Sequence, residues 1–158
     1  MSSHQQVEQL GDSDFIHVLE AMLFFLDQEQ GDVELLKQGL KHANAEVRWR
    51  CAILLAQLQA PVEHQLVELL QDSSWEVRQA GAWGLGLLKS EVGAQALLEA
   101  FLHSEDEQIP YAATRALLTL SPENVLPMLE TCAQKSLGEA ERTDTRFRLS
   151  RSAIASYQ

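Results

Sequence analysis

Three stretches of this chain superimpose without gaps, and that repetition limits the possible folds more than any other feature. They are residues 47–58, 77–88 and 109–120, which recur at nearly equal intervals along the chain. A weaker copy, residues 15–26, lies one such interval before the first. Apolar anchors recur at relative positions 0, 8 and 11: Val47, Leu55 and Leu58; Val77, Leu85 and Leu88; Ile109, Leu117 and Leu120; and in the weak copy Phe15, Leu23 and Leu26. Those spacings fall on one stripe of a helix of about 3.6 residues per turn. Small residues flank the stripe as Cys51 and Ala52, Gly81 and Ala82, Ala112 and Ala113. A segment such as Ala-Gly-Ala-Trp-Gly-Leu-Gly is a poor isolated helix, since each Gly costs about 1 kcal/mol relative to Ala. Packing between repeats must compensate, as in a stack of units that are unstable alone.

A second apolar helix precedes each copy, over residues 33–40, 66–70 and 96–102. Short polar connectors join each pair: His42-Ala43-Asn44, Asp72-Ser73-Ser74 and Ser104-Glu105-Asp106. Asp72, Ser73 or Ser74 can cap the next helix, and Glu76 suits its first turn. Pro61, Pro110, Pro122 and Pro127 are expected at or near helix starts, where a missing N–H does least harm. Ser121-Pro122-Glu123 opens a further helix to about Cys132, residues 135–140 read as a polar connector, and residues 141–157 read as a final polar helix with Phe147, Ile154 and Ala155 inward. No stretch alternates with period two. The expected architecture is all-α: about five helix pairs, the first incomplete, forming one domain over residues 1–158. Its clearest repeats cover 33–120, and 121–158 form a C-terminal capping repeat.

The best copy, Asp72-Ser73-Ser74-Trp75-Glu76-Val77-Arg78 followed by Gly81-Ala82, Leu85-Gly86 and Leu88, resembles the HEAT-repeat superfamily. More narrowly, it resembles the short bacterial repeats named from phycobilisome-lyase proteins. The copy at Val47-Arg48 keeps the arginine but has His42 in place of the Asp; the copy at Ile109 has Ser104 there and Pro110 in place of the Arg. The resemblance implies a right-handed α-α superhelix, a short HEAT-like solenoid. It also implies that Asp72, Arg48 and Arg78 belong to a structural ladder between repeats, with looser coupling where members are missing.

Chemistry is harder to find. Among His4, His17, His42, His64 and His103 no pair has the helical spacing of a zinc hydrolase, and no metal site or cofactor is expected. An iron hydroxylase of the superfamily carries His-Glu dipeptides; here only the reverse, Glu63-His64, occurs. Cys51 falls among apolar residues and reads as a buried, inert thiol. Gly81, Gly84 and Gly86 lie within a helical pattern and make no phosphate loop. Glu105-Asp106-Glu107 reads as a solvated turn. No catalytic constellation emerges.

A binding surface is the better candidate. With the anchors inward, Trp49, Ile53, Trp83, Leu87, Tyr111 and Arg115 fall on the opposite face, which in such solenoids lines the concave side. Aromatics and Arg concentrate binding energy at interfaces. The alternative places Trp49 and Trp83 as padding beside Gly84 and Gly86. Arg142, Arg146, Arg148 and Arg151 form a second, basic patch, read either as a polar cap or as a contact for an anionic partner.

Charge narrows the partner. The 158 residues hold 12 Lys or Arg against 23 Asp or Glu, a formal charge of −11. Residues 1–141 carry 22 acids and 8 bases, and residues 142–158 one acid and four bases. Nucleic-acid binding, as in alkylation-repair helical arrays, needs clustered cations and is excluded by that balance. The most apolar run, residues 15–26, is broken by His17 and Glu20 and is shorter than the ~20 residues of a membrane span. The opening Met-Ser-Ser-His-Gln-Gln lacks the basic region of a secretory signal, and two cysteines make no disulfide framework, so a cytoplasmic setting is expected. Together these features point to a non-enzymatic adaptor that binds a protein partner. The phycobilisome resemblance implies an alternative, a bilin lyase-like subunit or tetrapyrrole chaperone.

Overall fold

The computed structural model describes residues 2–27, 32–103, 108–118 and 120–139. Among them the chain is helical, with no strand. The helices are α1 (Ser3–Gln9), α2 (Phe15–Asp27), α3 (Val33–Gly39), α4 (Ala45–Gln57), α5 (Glu63–Leu69), α6 (Trp75–Leu88), α7 (Glu91–His103), α8 (Gln108–Leu117) and α9 (Pro122–Glu139). They fall into two compact units, Met1–Leu88 and Lys89–Gln158. No described helix is long and apolar enough to cross a membrane.

The first unit is one plan repeated three times. Helices α1, α3 and α5 start at positions 3, 33 and 63 and have the same length. Helices α2, α4 and α6 start at positions 15, 45 and 75. The first pair is therefore complete, since α1 supplies the helix that the sequence pattern did not reveal. It is too short to show a stripe, but Ser2 and Gln5 close a reciprocal capping box on its first turn. Asp14, Asn44 and Ser74 stand before α2, α4 and α6, and the side chains of Asp14 and Asn44 accept from Ile16 N and Glu46 N at 2.9 Å. At the other end Gln59 and Lys89, which occupy the same place in successive repeats, both take left-handed backbone, with φ of 53° and 54°. Ala60 N then reaches back to Leu55 O at 3.0 Å, closing the end of α4.

The core of this unit lies between the two layers. Leu36, Val47, Cys51, Leu54, Leu55, Leu66, Val77 and Leu85 are fully buried. The third anchors, Leu58 and Leu88, sit at helix ends and are half-buried. The regular helix starts correct the register of the weak copy. Phe15, Leu23 and Leu26 are exposed, whereas Ala21 and Phe25, one repeat before Cys51 and Leu55, are fully buried. Helix α2 carries two apolar stripes, and matching anchors alone selected the wrong one.

Stacking is not uniform along the unit. Helix α4 packs extensively on α6 and only sparsely on α2. Close approach of α4 and α6 depends on small residues: a Cβ built on Gly84 would stand 3.3 Å from Ala56 Cβ and 2.9 Å from Leu66 Cδ1. One repeat earlier, the places of Gly84 and Ala56 are taken by the larger Leu54 and Leu26.

In the second unit α7 packs against α8 and α9. Ala94, Leu97, Ile109 and Val125 are fully buried, with Leu98, Leu102, Ala113, Leu117, Leu129 and Cys132 beside them. Ser90 Oγ caps α7 by accepting from Gly93 N at 2.9 Å. Helix α9 runs through residues 135–139, which the sequence assigned to a connector, and Lys135 Nζ pairs with Glu99 Oε1 of α7 at 3.0 Å. Pro127 lies inside α9 and not at its start. It is exposed, on the side away from Val125, Leu129 and Cys132, so the Glu123 carbonyl it leaves without an N–H faces water.

Candidate partner-binding surface

The inter-repeat ladder has one complete rung in the first unit. Arg48 Nε and Nη2 donate to Asp72 Oδ2 and Oδ1, each at 2.9 Å, as a two-pronged fork. Arg48 Nη1 meanwhile donates to His42 O at 2.8 Å and Ala43 O at 2.9 Å. One guanidinium thus ties its own loop to the next. Arg78 repeats the loop contacts, donating to Asp72 O at 3.0 Å and Ser73 O at 3.3 Å. Asp72 also accepts from Ser74 N at 2.9 Å, so the carboxylate sets the turn before α6 as well. The Arg48 fork first, and the Ser74 amide next among the favourable causes, hold its carboxyl below the usual range against the opposing effect of burial.

The rung between the first two repeats is missing at both ends. Val18 stands where Arg48 does and is buried, and His42 stands where Asp72 does. The histidine preserves the turn: its Nδ1 accepts from Asn44 N at 3.1 Å, the role of Asp72 Oδ1. Its Nε2 faces Glu8 Oε1 at 3.4 Å. Local structure is thereby kept while the inter-repeat bond is absent, which fits the sparse packing of α2 on α4.

The residues assigned to a binding face divide by unit. In the first, Trp49, Ile53, Trp83 and Leu87 are half-buried, intermediate between a free surface and core padding. Trp49 is held by two neighbours that are themselves joined: its Nε1 donates to Glu46 Oε2 at 3.1 Å, the Arg50 guanidinium lies 4.7 Å from its ring centroid, and Arg50 is paired to Glu46 at 2.7 Å. Arg50 also donates to the Leu10 carbonyl at the end of α1. The indole is thus fixed before any partner arrives. In the second unit Tyr111 and Arg115 are exposed on α8, with Tyr111 at 67%. Arg142, Arg146, Arg148 and Arg151, and the final helix expected over 141–157, lie outside the described residues, as does the connector 104–107.

The sequence pattern missed the most exposed part of this surface. Phe15 (74%), Ile16 (63%), Leu19 (44%), Leu23 (49%) and Leu26 (43%) form an open apolar stripe on α2. In the register set by the helix starts, Leu19 corresponds to Trp49, and Leu23 to Ile53 and Trp83. One position, Leu23, Ile53 and Trp83, is thus apolar on three successive helices, and its neighbours Leu19, Trp49 and Leu87 widen the row on one helix each. The matching turns, Asp12-Ser13-Asp14 and Asp72-Ser73-Ser74, are two repeats apart and would have set the register. Asp12 Oδ1 indeed accepts from Asp14 N at 2.9 Å as Asp72 accepts from Ser74 N.

No group of three His, Cys, Asp or Glu side chains placed to hold a metal occurs among the described residues. A cleft of about 270 Å³ between α1 and α3 is lined by His4, Glu8 and His42 among others. Both cysteines are buried and free. Desolvation pushes the Cys51 thiol up to about 12 and raises that of Cys132. Native protein is therefore expected to resist an aromatic disulfide reagent and to release two equivalents of thiol only after denaturation. Prompt release from the folded chain, followed by absorbance, would contradict this burial.

Comparison with known proteins agrees with this architecture. The family model described as HEAT repeats matches residues 33–118, more than half of the chain. The chain belongs to the HEAT-repeat family. Among solved structures it is similar to an engineered protein from the Northeast Structural Genomics Consortium, at 18% identity and a TM-score of 0.59, covering 99% of this chain and 79% of that one. At that identity the likeness speaks for the fold alone. No curated protein matches the sequence at a significant level.

Proposed function

We propose that this protein is a non-enzymatic adaptor that binds a protein partner through the solvent-facing side of α2, α4 and α6, the side expected to line the concave face of the solenoid. The observation that carries it is the repeated apolar row, from Leu19 and Leu23 through Trp49 and Ile53 to Trp83 and Leu87. Contiguous exposed apolar surface marks an interaction site, and a clamped Trp loses little entropy when it is covered. Tyr111 and Arg115 are proposed as contacts of the second unit, and Arg142, Arg146, Arg148 and Arg151 as an auxiliary basic patch. All repeats are taken as one functional domain over 1–158, working in the cytoplasm; the two buried, unpaired thiols support that setting.

The double variant Trp49→Ala/Trp83→Ala tests the proposal. Neither side chain is fully buried, so helicity by circular dichroism should persist. Affinity for partners that co-purify from the native cell is expected to fall about thirtyfold or more, as when central aromatic anchors are truncated. Unchanged recovery of those partners would refute the assignment. The phycobilisome-lyase resemblance supports a narrower reading, in which the aromatic row holds a tetrapyrrole. A bilin whose visible spectrum does not shift on mixing with the protein removes it.

A further inference from the structure

Helix α2 carries more pattern than a general apolar row. Ile16, Leu19, Leu23 and Leu26 fall at the a and d positions of a heptad seam. All four are exposed, while the core side of the same helix is made by Val18, Ala21 and Phe25. In that frame Glu20 and Asp27 both occupy position e, and both are exposed. The seam is therefore an apolar strip with a carboxylate edge, set on the repeat that lacks a ladder rung.

The charges discriminate between occupants. A second copy packed antiparallel would bring e against e, placing Glu20 and Asp27 of one chain beside those of the other. A parallel copy would set them against position g, which holds Phe15 and Met22 and offers no countercharge. The surrounding unit adds to the bias: residues 1–88 hold 13 acidic and 5 basic side chains, and Lys37, Arg48 and Arg50 are already paired with Glu34, Asp72 and Glu46. A helix with Lys or Arg along its edge meets the seam with opposite charge.

We infer that α2 is a docking helix for a basic amphipathic helix of a partner protein, seated on Ile16, Leu19, Leu23 and Leu26 with its cations against Glu20 and Asp27. This rests on the adaptor reading and specifies the chemistry of the partner for its first repeat. The association is a short coiled-coil-like contact of about two heptads, weak by itself and dependent on salt.

The test uses the full chain and fluorescent peptides of about three heptads with Leu at a and d. One peptide carries Lys at e and g, one carries Glu there, and a third is a scramble of the Lys peptide. Anisotropy is expected to show the Lys peptide binding about tenfold or more tightly than the Glu peptide or the scramble. Glu20→Lys/Asp27→Lys is expected to reverse the Lys and Glu preference, and Leu19→Asp/Leu23→Asp to abolish binding of both. All four positions are exposed, so folding should survive, which circular dichroism checks. No binding of the Lys peptide, equal binding of the scramble, or an unaltered preference after charge reversal would each overturn the inference. So would a dimer in sedimentation that Leu23→Asp dissolves. Trp49→Ala/Trp83→Ala separates the two claims: it should leave peptide binding intact while weakening the native partner. Failure of the peptides with the Trp effect preserved removes the α2 inference alone.

Discussion

Asp72→Ala is expected to lower stability by about 3 kcal/mol near neutral pH, the scale of breaking a largely buried ion pair on one side. Arg48 and Asp72 side chains are only 14% and 13% exposed, so the abandoned guanidinium does not simply return to water. It keeps its bonds to His42 O and Ala43 O but loses both to the carboxylate. Ser74 N loses its acceptor too, which loosens the start of α6. Asp72→Asn retains an acceptor for Ser74 N and is expected to cost about half as much. The pH dependence follows from the lowered carboxyl pKa. The unfolded chain takes up this proton first as pH falls, so the stabilising contribution is complete above the unfolded value of about 3.9 and disappears as pH drops through the lower, folded value. Urea melts followed by Trp fluorescence should show a wide gap between parent and Asp72→Ala at about pH 7 that narrows progressively as pH falls below about 3.9. A variant as stable as the parent at neutral pH would mean that the fork contributes no net stability.

Gly81→Val is expected to be about as damaging, for a steric reason. A Cβ on Gly81 would stand 3.0 Å from the Leu66 carbonyl oxygen and 3.0 Å from Leu69 Cβ. The first of these is backbone, which can yield only if α5 moves as a body. Gly81→Ala sets this squeeze against a gain of about 1 kcal/mol in helix propensity, and the two should nearly cancel. The two further carbons of Val have no such offset and are expected to cost about 3 kcal/mol, or roughly 10 °C in melting temperature. Gly39 differs in kind, since what a Cβ there would meet first is a side-chain atom, the Cys51 Sγ, and not backbone. Thermal melts of Gly81→Ala and Gly81→Val side by side would decide. Equal melting temperatures would show that α5 and α6 separate more easily than their contact implies.

The fold was legible where period and packing agree. Val47, Leu55, Val77 and Leu85 are anchors by spacing and fully buried in fact, and the small residues at Cys51 and Gly81 lie where close approach demands them. Misreading began where apolarity served two purposes on one helix. Helix α2 is apolar toward its core and apolar toward solvent, and hydrophobic matching cannot tell these apart; only the polar turn at Asp12 and Asp14 fixes the register. The short α1 was invisible because two turns of helix hold too little periodicity, and the end of α9 because Lys, Ser, Gly and Glu occur in helices as well as in connectors. For the candidate surface, residue type pointed to Trp49 and Trp83. The clamp that orients Trp49, made by Glu46 and Arg50, emerges only from three-dimensional contacts.

The matching left-handed residues Gln59 and Lys89 bear on how such a chain changes length over evolution. A segment from 60 to 89 begins and ends in equivalent backbone geometry. Copying it in tandem, or excising it whole, rejoins the chain at a junction it already knows how to make. Gene duplication can thus lengthen or shorten the array in steps of one repeat without inventing a turn. What each such event must then restore is the side-chain grammar between neighbours: an arginine at the place of Arg48, a carboxylate at the place of Asp72, and a small residue at the place of Gly84.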